Sequence, residues 1–249
     1  MTDLGLPHLH LRLTDSTNER ARGLAAAGAP SGTIVTADEQ SAGRGRRGRA
    51  WSAPPRAALL YSAILRPLGA AHALLPLAVP VAVCEAIESL APRSCAIKWP
   101  NDVWIAERKV SGVLIEARPP DWAVIGIGVN VAIEDGGFPA DLRWPATSIG
   151  GGVAVDRARD AVCEALGRWV DAPAAEVLDA FRARDALAGR ALAWEGAGTD
   201  AGTGVGAGVD ERGNLLVDAD SGDRLALGAG EVQLRPASAA AGVRPPDAK

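Results

Sequence analysis

Cysteine is scarce in this chain of 249 residues, and its spacing argues against two common structural devices. Only Cys84, Cys95 and Cys163 occur, and no two of them form a Cys-x-x-Cys pair. Such separated thiols fit neither a disulfide framework nor a zinc site. We therefore expect reduced thiols in the core of a cytoplasmic protein.

Long uninterrupted apolar runs are also missing. The longest apolar stretch, residues 74–90, contains two prolines and two glutamates and is short for a bilayer span. The chain starts without the basic and then apolar segments of a secretion signal. A formal net charge of −4 gives no overall attraction to nucleic acid or to an anionic membrane. Anion binding must therefore be local, and we expect no membrane partner.

Against this mildly acidic background, one segment concentrates positive charge. Residues 39–51 read EQSAGRGRRGRAW, with four arginines and three glycines. Arginine presents a planar fork of donors that suits carboxylate and phosphate, and glycines let backbone N–H groups approach the same anion. We interpret the segment as an anion-binding loop and call Gly43–Trp51 the arginine loop.

Three alternatives apply to the arginine loop. A run of charges is usually a solvated face. The glycine spacing also satisfies the dinucleotide-binding pattern, but that pattern needs a helix directly afterwards, and Pro54 and Pro55 oppose one. An arginine-glycine tail for nucleic acid would be longer and of low complexity, whereas this segment is short and bounded by strand-like runs.

The order of predicted elements indicates an α+β domain with a mixed, largely antiparallel sheet and packed helices, because closely spaced strands favour antiparallel pairing. Capping residues before Glu19 and Gly28 after Ala27 delimit a first helix. Pro80 should kink the second helix or mark its true start. The predicted strands are 33–37, 59–65, 95–99, 103–106, 110–117 and 123–131, and the predicted helices are 19–27, 74–90, 156–170 and 174–187.

After Gly189 the composition changes to alternating alanine, glycine and valine with short polar turns. We predict a small SH3-like β-barrel of four or five short strands. The expected organisation is a catalytic domain over residues 1–187, this module over 188–236, and a disordered tail over 237–249.

A second cluster of chemical groups is Lys98-Trp99-Pro100-Asn101-Asp102. This order makes a sharp turn at a strand end, where a carboxylate can be presented into a pocket. Lys98 and Asp102 are near enough in sequence to share that site. An ordinary turn with solvated charges is the alternative.

Glycines interrupt the apolar strands that follow. Strict alternation from Lys109 would place Ser111, Val113 and Ile115 on its own face, and Gly112 on the other. Gly112, Gly126 and Gly128 weaken a strand, which suggests close approach of a ligand or of another backbone. Tight sheet packing is the alternative for each glycine.

Five ordered motifs resemble those of the biotin protein ligases. They are Asp15 to Asn18, Gln40 with the arginine loop, Lys98 to Asp102, Lys109 with Ser111 to Glu116, and Gly126 to Asn130. The resemblance implies the catalytic fold of class II synthetases and biotin–lipoate ligases. It also implies that biotin and ATP form biotinyl-5′-AMP, with Mg²⁺, before biotin passes to a lysine of a carboxylase carrier domain. We expect a monomer or weak homodimer, without the DNA-binding domain that some members carry.

The resemblance also implies residue roles. Lys109, Arg46, Asp102 and Lys98 would be catalytic, with Asp102 as base or orienting group and the metal ligands unassigned. Trp51 would stack on adenine, or else pin the loop to the core. The expected biotin contacts are Ser16, Thr17, Asn18, Gln40, Arg44, Gly45, Arg46, Lys109, Gly112 and Gly128. The expected ATP and adenylate contacts are Arg44, Arg46, Arg47, Arg49, Trp51, Lys98, Asn101, Lys109 and Asn130.

Two rivals remain at this point. A lipoate ligase performs the same two-step chemistry on a related fold, although the intact GRGRRGR sequence argues against it. A nucleic-acid-binding module that uses the arginine loop would bind with strong salt dependence, but the acidic balance and the lack of interleaved aromatic residues argue against it.

Overall fold

The structure, a computed structural model, describes residues 4–139, 142, 144–196, 201–229 and 232–236. By its internal contacts the chain divides into two compact units, Met1–Arg184 and Asp185–Lys249. The expected tail over residues 237–249 lies outside the described part of the chain.

A seven-stranded mixed sheet forms the first unit, in the order β1-β2-β3-β7-β6-β5-β4. Among the strands that the structure describes in this sheet, β1 and β2 pair in parallel and the other pairs are antiparallel, as the close spacing of the strands predicts. The strands are β1 His8–Leu11, β2 Ile34–Ala37, β3 Ala58–Leu65, β4 Ala96–Lys98, β5 Asp102–Ile105, β6 Arg108–Arg118 and β7 Trp122–Asn130.

Three of the four helices in the described part of this unit pack on the two faces of the sheet, and the last packs on the second helix. The four helices are α1 Thr17–Ala26, α2 Leu75–Leu90, α3 Val155–Trp169 and α4 Ala174–Arg182. Helix α1 buries Ala21 and Ala25 against Val35, Ile64 and Val124. On the other face, the Tyr61 hydroxyl lies 3.6 Å from the Cys163 thiol of α3, and burial raises the pKa of Tyr61 far above its ordinary value. The sheet is therefore covered by helices on both sides.

Helix α2 is the apolar centre of the unit. It starts at Leu75, so Pro80 lies inside the helix and does not mark its start. Together with the 3₁₀ turn before it, the helix spans Ala70–Leu90 and is long and apolar enough to cross a membrane. However, 67% of its 18-residue apolar segment is buried inside the protein. Burial of this kind is typical of the core helix of a globular domain.

The second unit carries a five-stranded antiparallel sheet in the order β11-β10-β9-β8-β12. Its strands are β8 Ala191–Gly196, β9 Gly202–Val209, β10 Leu215–Ala219, β11 Arg224–Leu227 and β12 Val232–Pro236. The prediction of a small β-module is confirmed. Among the described residues β11 and β12 do not pair with each other, so closure into a barrel remains a prediction.

Candidate active site

A cavity of about 530 Å³ opens on the α1 side of the large sheet. Its floor is formed by β3, β5, β6 and β7, and its walls by the start of α1, the arginine loop and the segment after β7. Most of the residues singled out from the sequence line this cavity. They are Ser16, Thr17, Asn18, Gln40, Arg44, Gly45, Arg46, Arg49, Trp51, Asn101, Asp102, Lys109, Gly112, Gly128 and Asn130.

At one end the cavity has a polar wall, defined as Ser16, Thr17, Asn18 and Gln40. The backbone N–H and hydroxyl of Thr17 donate to the Gln40 side-chain oxygen at 2.7 and 3.1 Å. Ser62, which is completely buried, lies 2.6 Å from the Asn18 side-chain oxygen. A buried network with its partners in place is rigid. The wall can therefore present fixed hydrogen-bonding groups to a polar ring.

The arginine loop folds back on itself as a small hairpin. The N–H of Trp51 donates to the Gly43 carbonyl at 2.9 Å, and the N–H of Gly45 donates to the Arg49 carbonyl at 2.7 Å. A Cβ on Gly43 would lie 2.3 Å from the Trp51 carbonyl oxygen, so only glycine fits there. These bonds preserve the shape of the loop but tie it only to itself.

The arginines of this loop have different surroundings. Arg46 donates to the Asn101 side-chain oxygen at 3.2 Å, and burial, together with the charges of Arg47 and Arg49, lowers its pKa while the Asp102 carboxylate opposes that shift. The guanidinium remains charged at neutral pH. Arg46 therefore brings a cation to the Asp102 end of the cavity.

Arg44 instead binds two carboxylates, Glu19 at 3.0 Å and Glu116 at 3.2 Å. Arg49 is exposed and donates to the Arg46 carbonyl at 3.3 Å. Arg47 has a left-handed backbone at φ 56° and is not among the residues that line the cavity. The four arginines of the loop therefore do not share one environment, and their expected contacts with the adenylate stay predictions.

Lys109 lies on a different strand face from the one that alternation predicts. Trp104 pairs with Lys109 and Val103 pairs with Ser111, so Val110 is an extra residue that forms a β-bulge. A bulge shifts the alternation by one residue. The Lys109 ammonium consequently lies 2.7 Å from an Asp102 carboxylate oxygen and 3.1 Å from the position of a Cβ on Gly112. The prediction that Lys109 shares its face with Ser111, Val113 and Ile115 is wrong for this reason.

The floor of the cavity is made of glycine because side chains lie flat against it. A Cβ on Gly128 would be 2.4 Å from the Trp51 ring, and one on Gly112 would be 3.1 Å from it. A Cβ on Gly126 would be 2.0 Å from the Asn18 side-chain oxygen. The groups that approach these glycines are side chains, and the close approach of a ligand stays a prediction.

Lys98 lies behind the cavity lining. It is 6% exposed, and its ammonium lies 5.0 Å from the centre of the Trp144 ring and 6.0 Å from that of Trp104. These distances are typical of cation–π contacts. Lys98 does pair across the strands with Asp102. Its described contacts support the Trp144 ring, and the catalytic role expected from the sequence stays a prediction.

Two contributors were missed by the sequence reasoning. Trp144 lines the cavity and packs on Trp104 with ring centres 5.3 Å apart. Glu116 accepts a hydrogen bond from Asn18 and forms an ion pair with Arg44. Only the position of Glu116 at the end of a named motif could have drawn attention to it. No local pattern identifies Trp144, because it reaches the cavity through a long segment after β7.

The chemistry available at this site is that of a cationic centre beside a buried carboxylate. Asp102 is 5% exposed and is the only acidic side chain among the described lining residues. The described part of the chain has no cluster of three metal-ligating side chains. Asp102 and the amide oxygen of Asn130 are oxygen groups of the kind that hard divalent cations prefer. The arrangement can bring two anionic groups together.

Comparison with known proteins connects this geometry to a family. Residues 10–130 match the model of the biotin/lipoate A/B protein ligase family. The chain is 36% identical over 241 residues to a biotin–[acetyl-CoA-carboxylase] ligase of Paracoccus denitrificans, covering 89% of this chain and 98% of that one. It is 32% identical over 235 residues to the Mycobacterium tuberculosis ligase of the same name, covering 88% and 85% of the two chains.

Other relatives and solved structures agree with this result. The chain spans about half the length of two curated relatives, the bifunctional ligase/repressors BirA of Bacillus spizizenii and Bacillus subtilis, at 50% and 46% of their lengths, with 38% identity over 62% and 41% identity over 57% of this chain. Its fold matches a biotin protein ligase from Aquifex aeolicus in complex with biotin and ATP. That match has a TM-score of 0.78 and 29% identity, and covers 94% of this chain and all of the other.

Proposed function

Because the chain belongs to the biotin/lipoate A/B protein ligase family, we propose that it is a biotin protein ligase. In the first step the carboxylate of biotin attacks the α-phosphate of ATP, a C–O–P linkage forms, and pyrophosphate leaves. In the second step a lysine amine of a carboxylase carrier domain attacks the acyl carbon, an amide forms, and AMP leaves. The two relatives named biotin–[acetyl-CoA-carboxylase] ligase and the solved complex of a biotin protein ligase with biotin and ATP support these substrates.

One observation carries the proposal. Along β7, Gly126 faces the polar wall, and Gly128 faces Trp51, which lies beneath the ammonium of Lys109. At about 3.3 Å per residue, this floor extends about 13 Å from Gly126 to Asn130. A substrate with a polar ring at one end and a carboxylate at the other fits such a channel. We assign the ring to the polar wall and the carboxylate to the end at Lys109 and Arg46.

The cations at that end have a direct chemical role. A carboxylate that attacks a phosphate group must overcome the repulsion between two anions, and fixed donors stabilise the charge that develops in the transition state. Lys109 pairs with Asp102, and Arg46 donates to the neighbouring Asn101, so both cations are available at this end of the cavity to bridge the two groups. When bound with ATP, Mg²⁺ would neutralise phosphate charge, with Asp102 and Asn130 as the oxygen-bearing residues available to it.

For Asp102 the contacts favour an orienting role in the first step. Its carboxylate binds the Lys109 ammonium at 2.7 Å and accepts from the Asn101 amide at 3.2 Å. The second step needs a neutral amine, and with a pKa of about 10.4 fewer than about one acceptor lysine in a thousand is neutral at pH 7. Asp102 can serve as base there only after its contact with Lys109 has been released.

For adenine we propose Trp144 as the aromatic platform, in place of Trp51. Trp51 is already flat on the glycine floor under Lys109, which is the path assigned to biotin. Trp144 also lines the cavity, and its ring is supported by Lys98 and Trp104. Aromatic faces of this kind stack on planar rings.

The decisive experiment combines purified protein with biotin, Mg²⁺-ATP and a biotin carrier domain. We expect one lysine of the carrier domain to gain biotin, as measured by intact-mass spectrometry. Lipoate added in place of biotin tests the nearest rival and should give no transfer. Absence of biotin transfer with a folded enzyme would refute the proposal, and preferential lipoate transfer would reassign the substrate.

A further inference from the structure

Arg44 is tied to the body of the domain by carboxylates from two different elements. Its guanidinium lies 3.0 Å from Glu19 of α1 and 3.2 Å from Glu116 of β6. Arg22 lies 3.0 Å from Glu19 and 3.6 Å from Glu116. Four charged side chains thus form one cluster at the edge of the cavity. We call Glu19, Arg44 and Glu116 the carboxylate latch.

The latch continues directly into the polar wall. Glu116 accepts from the Asn18 amide at 2.9 Å, and Asn18 in turn meets Ser62 at 2.6 Å. Glu116 therefore contacts a side chain of the wall and a side chain of the loop with the same carboxylate. Its side chain is 21% exposed, so it is the least solvated member of the latch.

We propose that Glu19 and Glu116 are positioning residues that hold the arginine loop closed over the cavity through Arg44. The backbone bonds of the loop tie it to itself, Trp51 packs on a small apolar cluster of the domain, and Arg46 donates to Asn101 at the opposite end of the cavity. Releasing Arg44 frees the α1 side of a glycine-rich loop. The latch thereby sets how often the loop opens, and hence how fast a bound acyl-adenylate escapes. This last consequence rests on the proposed function.

The exposure of the latch suits a closure that must also be reversible. The side chains of Arg44 and Glu19 are 43% and 47% exposed, and ion pairs of this kind are individually weak and screened by salt. Two such pairs together favour the closed loop without locking it. Arg44, with its charge engaged by carboxylates, acts in this account through the loop and does not act as a phosphate donor.

The first test needs no ligand. Glu19→Gln, Glu116→Gln and the double variant remove charge but keep side-chain shape, and Glu116→Gln retains a side-chain oxygen that can accept from Asn18. In protein labelled with 5-fluorotryptophan, ¹⁹F NMR follows Trp51, whose signal is assigned with Trp51→Phe. We expect Trp51 to leave its position against Gly112 and Gly128 about three to ten times faster in the double variant than in the original protein. Salt should raise that rate in the original protein but not in the double variant.

The matched control is Asp160→Asn, which breaks an exposed ion pair of comparable length with Arg159 on α3. It should leave the Trp51 signal unchanged. Thermal unfolding of every variant confirms that the fold is intact. If the latch variants behave like this control, and salt has no effect on the original protein, the latch is refuted whether or not the chain is a ligase.

The second test uses biotinyl-AMP release, measured by stopped-flow fluorescence. Glu19→Gln/Glu116→Gln and Arg44→Gln should accelerate release to a similar extent, and combining all three should add little, since they remove one shared contact. A phosphate-binding Arg44 would instead slow adenylate formation without any effect of the glutamates, and that outcome overturns the proposal. Failure of the original protein to bind biotinyl-AMP refutes the proposed function and leaves the loop measurement standing.

Discussion

The Lys109 ammonium and the Asp102 carboxylate form an ion pair of 2.7 Å in which the carboxylate side chain is 6% exposed and the lysine side chain 23% exposed. The pair exists because Asp102 opposes Gly112 across β5 and β6, and the bulge at Val110 turns Lys109 onto the same face. Without a side chain on Gly112 the ammonium can cross that position. The pair fixes a cation at the centre of the cavity before any substrate arrives.

Lys109→Met should therefore abolish most adenylate formation. Removal of one preorganised donor costs about 10²- to 10³-fold in kcat. Pyrophosphate release with saturating biotin and ATP measures the step. Asp102→Asn keeps the shape and an acceptor oxygen, so we expect a smaller loss. Unchanged adenylate synthesis in Lys109→Met would remove Lys109 from the mechanism.

Arg46→Ala should let biotinyl-AMP leak from the enzyme. The substitution removes the donor to Asn101 and one cation from the end of the cavity that we assign to the adenylate. Escaped mixed anhydride acylates any exposed amine, so an unrelated bystander protein should acquire biotin on several lysines, detected by mass spectrometry. Arg47→Ala is the control, because Arg47 is not among the residues that line the cavity. Labelling that stays confined to the carrier lysine would contradict this expectation.

Gly128→Ala should disturb the cavity without disturbing the fold. The added methyl group would lie 2.4 Å from the Trp51 ring, and forcing a group into a filled space costs about 1–3 kcal/mol. Biotin binding measured by calorimetry should weaken by about tenfold. Gly23→Ala in α1 is the comparison, since no atom of the described residues would contact its added methyl group. That change should leave biotin affinity intact and raise the unfolding free energy by about 0.5–1 kcal/mol.

Trp144→Ala should raise the KM for ATP by about three- to tenfold, because a stacked aromatic pair contributes about 0.5–1.5 kcal/mol. The KM for biotin should stay the same. Lys98→Met should also raise the KM for ATP, but by a smaller factor, since Lys98 acts through the Trp144 ring. A selective effect on biotin would show that Trp144 belongs to the other end of the cavity.

Asp185 gives the protein a pH dependence unrelated to catalysis. Burial raises the pKa of its carboxyl above 3.8, against the opposing hydrogen bonds from the N–H groups of Leu187 and Ala188, and within the described part of the chain its Oδ2 has no hydrogen-bond partner. Because the pKa of this carboxyl is higher in the folded than in the unfolded protein, the protonated carboxyl favours the folded state. This contribution to the free energy of unfolding is fully present below the unfolded-state pKa, and it is lost as the pH rises through the folded-state pKa. Asp185→Asn should therefore raise Tm at pH 7 more than at pH 4. An equal change in Tm at pH 4 and at pH 7 would exclude the titration of Asp185 as the cause.

Much of the fold was predictable because it depends on local patterns. Strand and helix positions followed from periodicity, capping residues and glycine stops, within one or two residues for most elements. Helix α4 ends five residues before the predicted Leu187. Asp185 accepts from the Leu187 N–H at 2.8 Å, so a side chain competes with the helical bond there. Strand β1 was missed because its pairing is parallel and distant in sequence.

The sequence indicated which residues share the cavity, but it did not indicate how they are arranged there. The shared cavity follows from motifs whose residue types match their chemistry. The face of Lys109 depends on one extra residue, Val110, and strict alternation cannot detect a bulge. The engagement of Arg44 by Glu19 and Glu116 joins positions 25 and 72 residues apart, and sequence spacing carries no signal for it.

The glycine floor limits how this cavity can be redesigned. Gly112, Gly126 and Gly128 already carry the smallest side chain available, so every substitution at these positions makes the cavity shallower. A wider substrate range can therefore be reached only from the opposite side, by trimming Trp51 or lengthening the loop that carries it. Selection or engineering for bulkier acids should accumulate changes in residues 43–51 and leave the three glycines untouched.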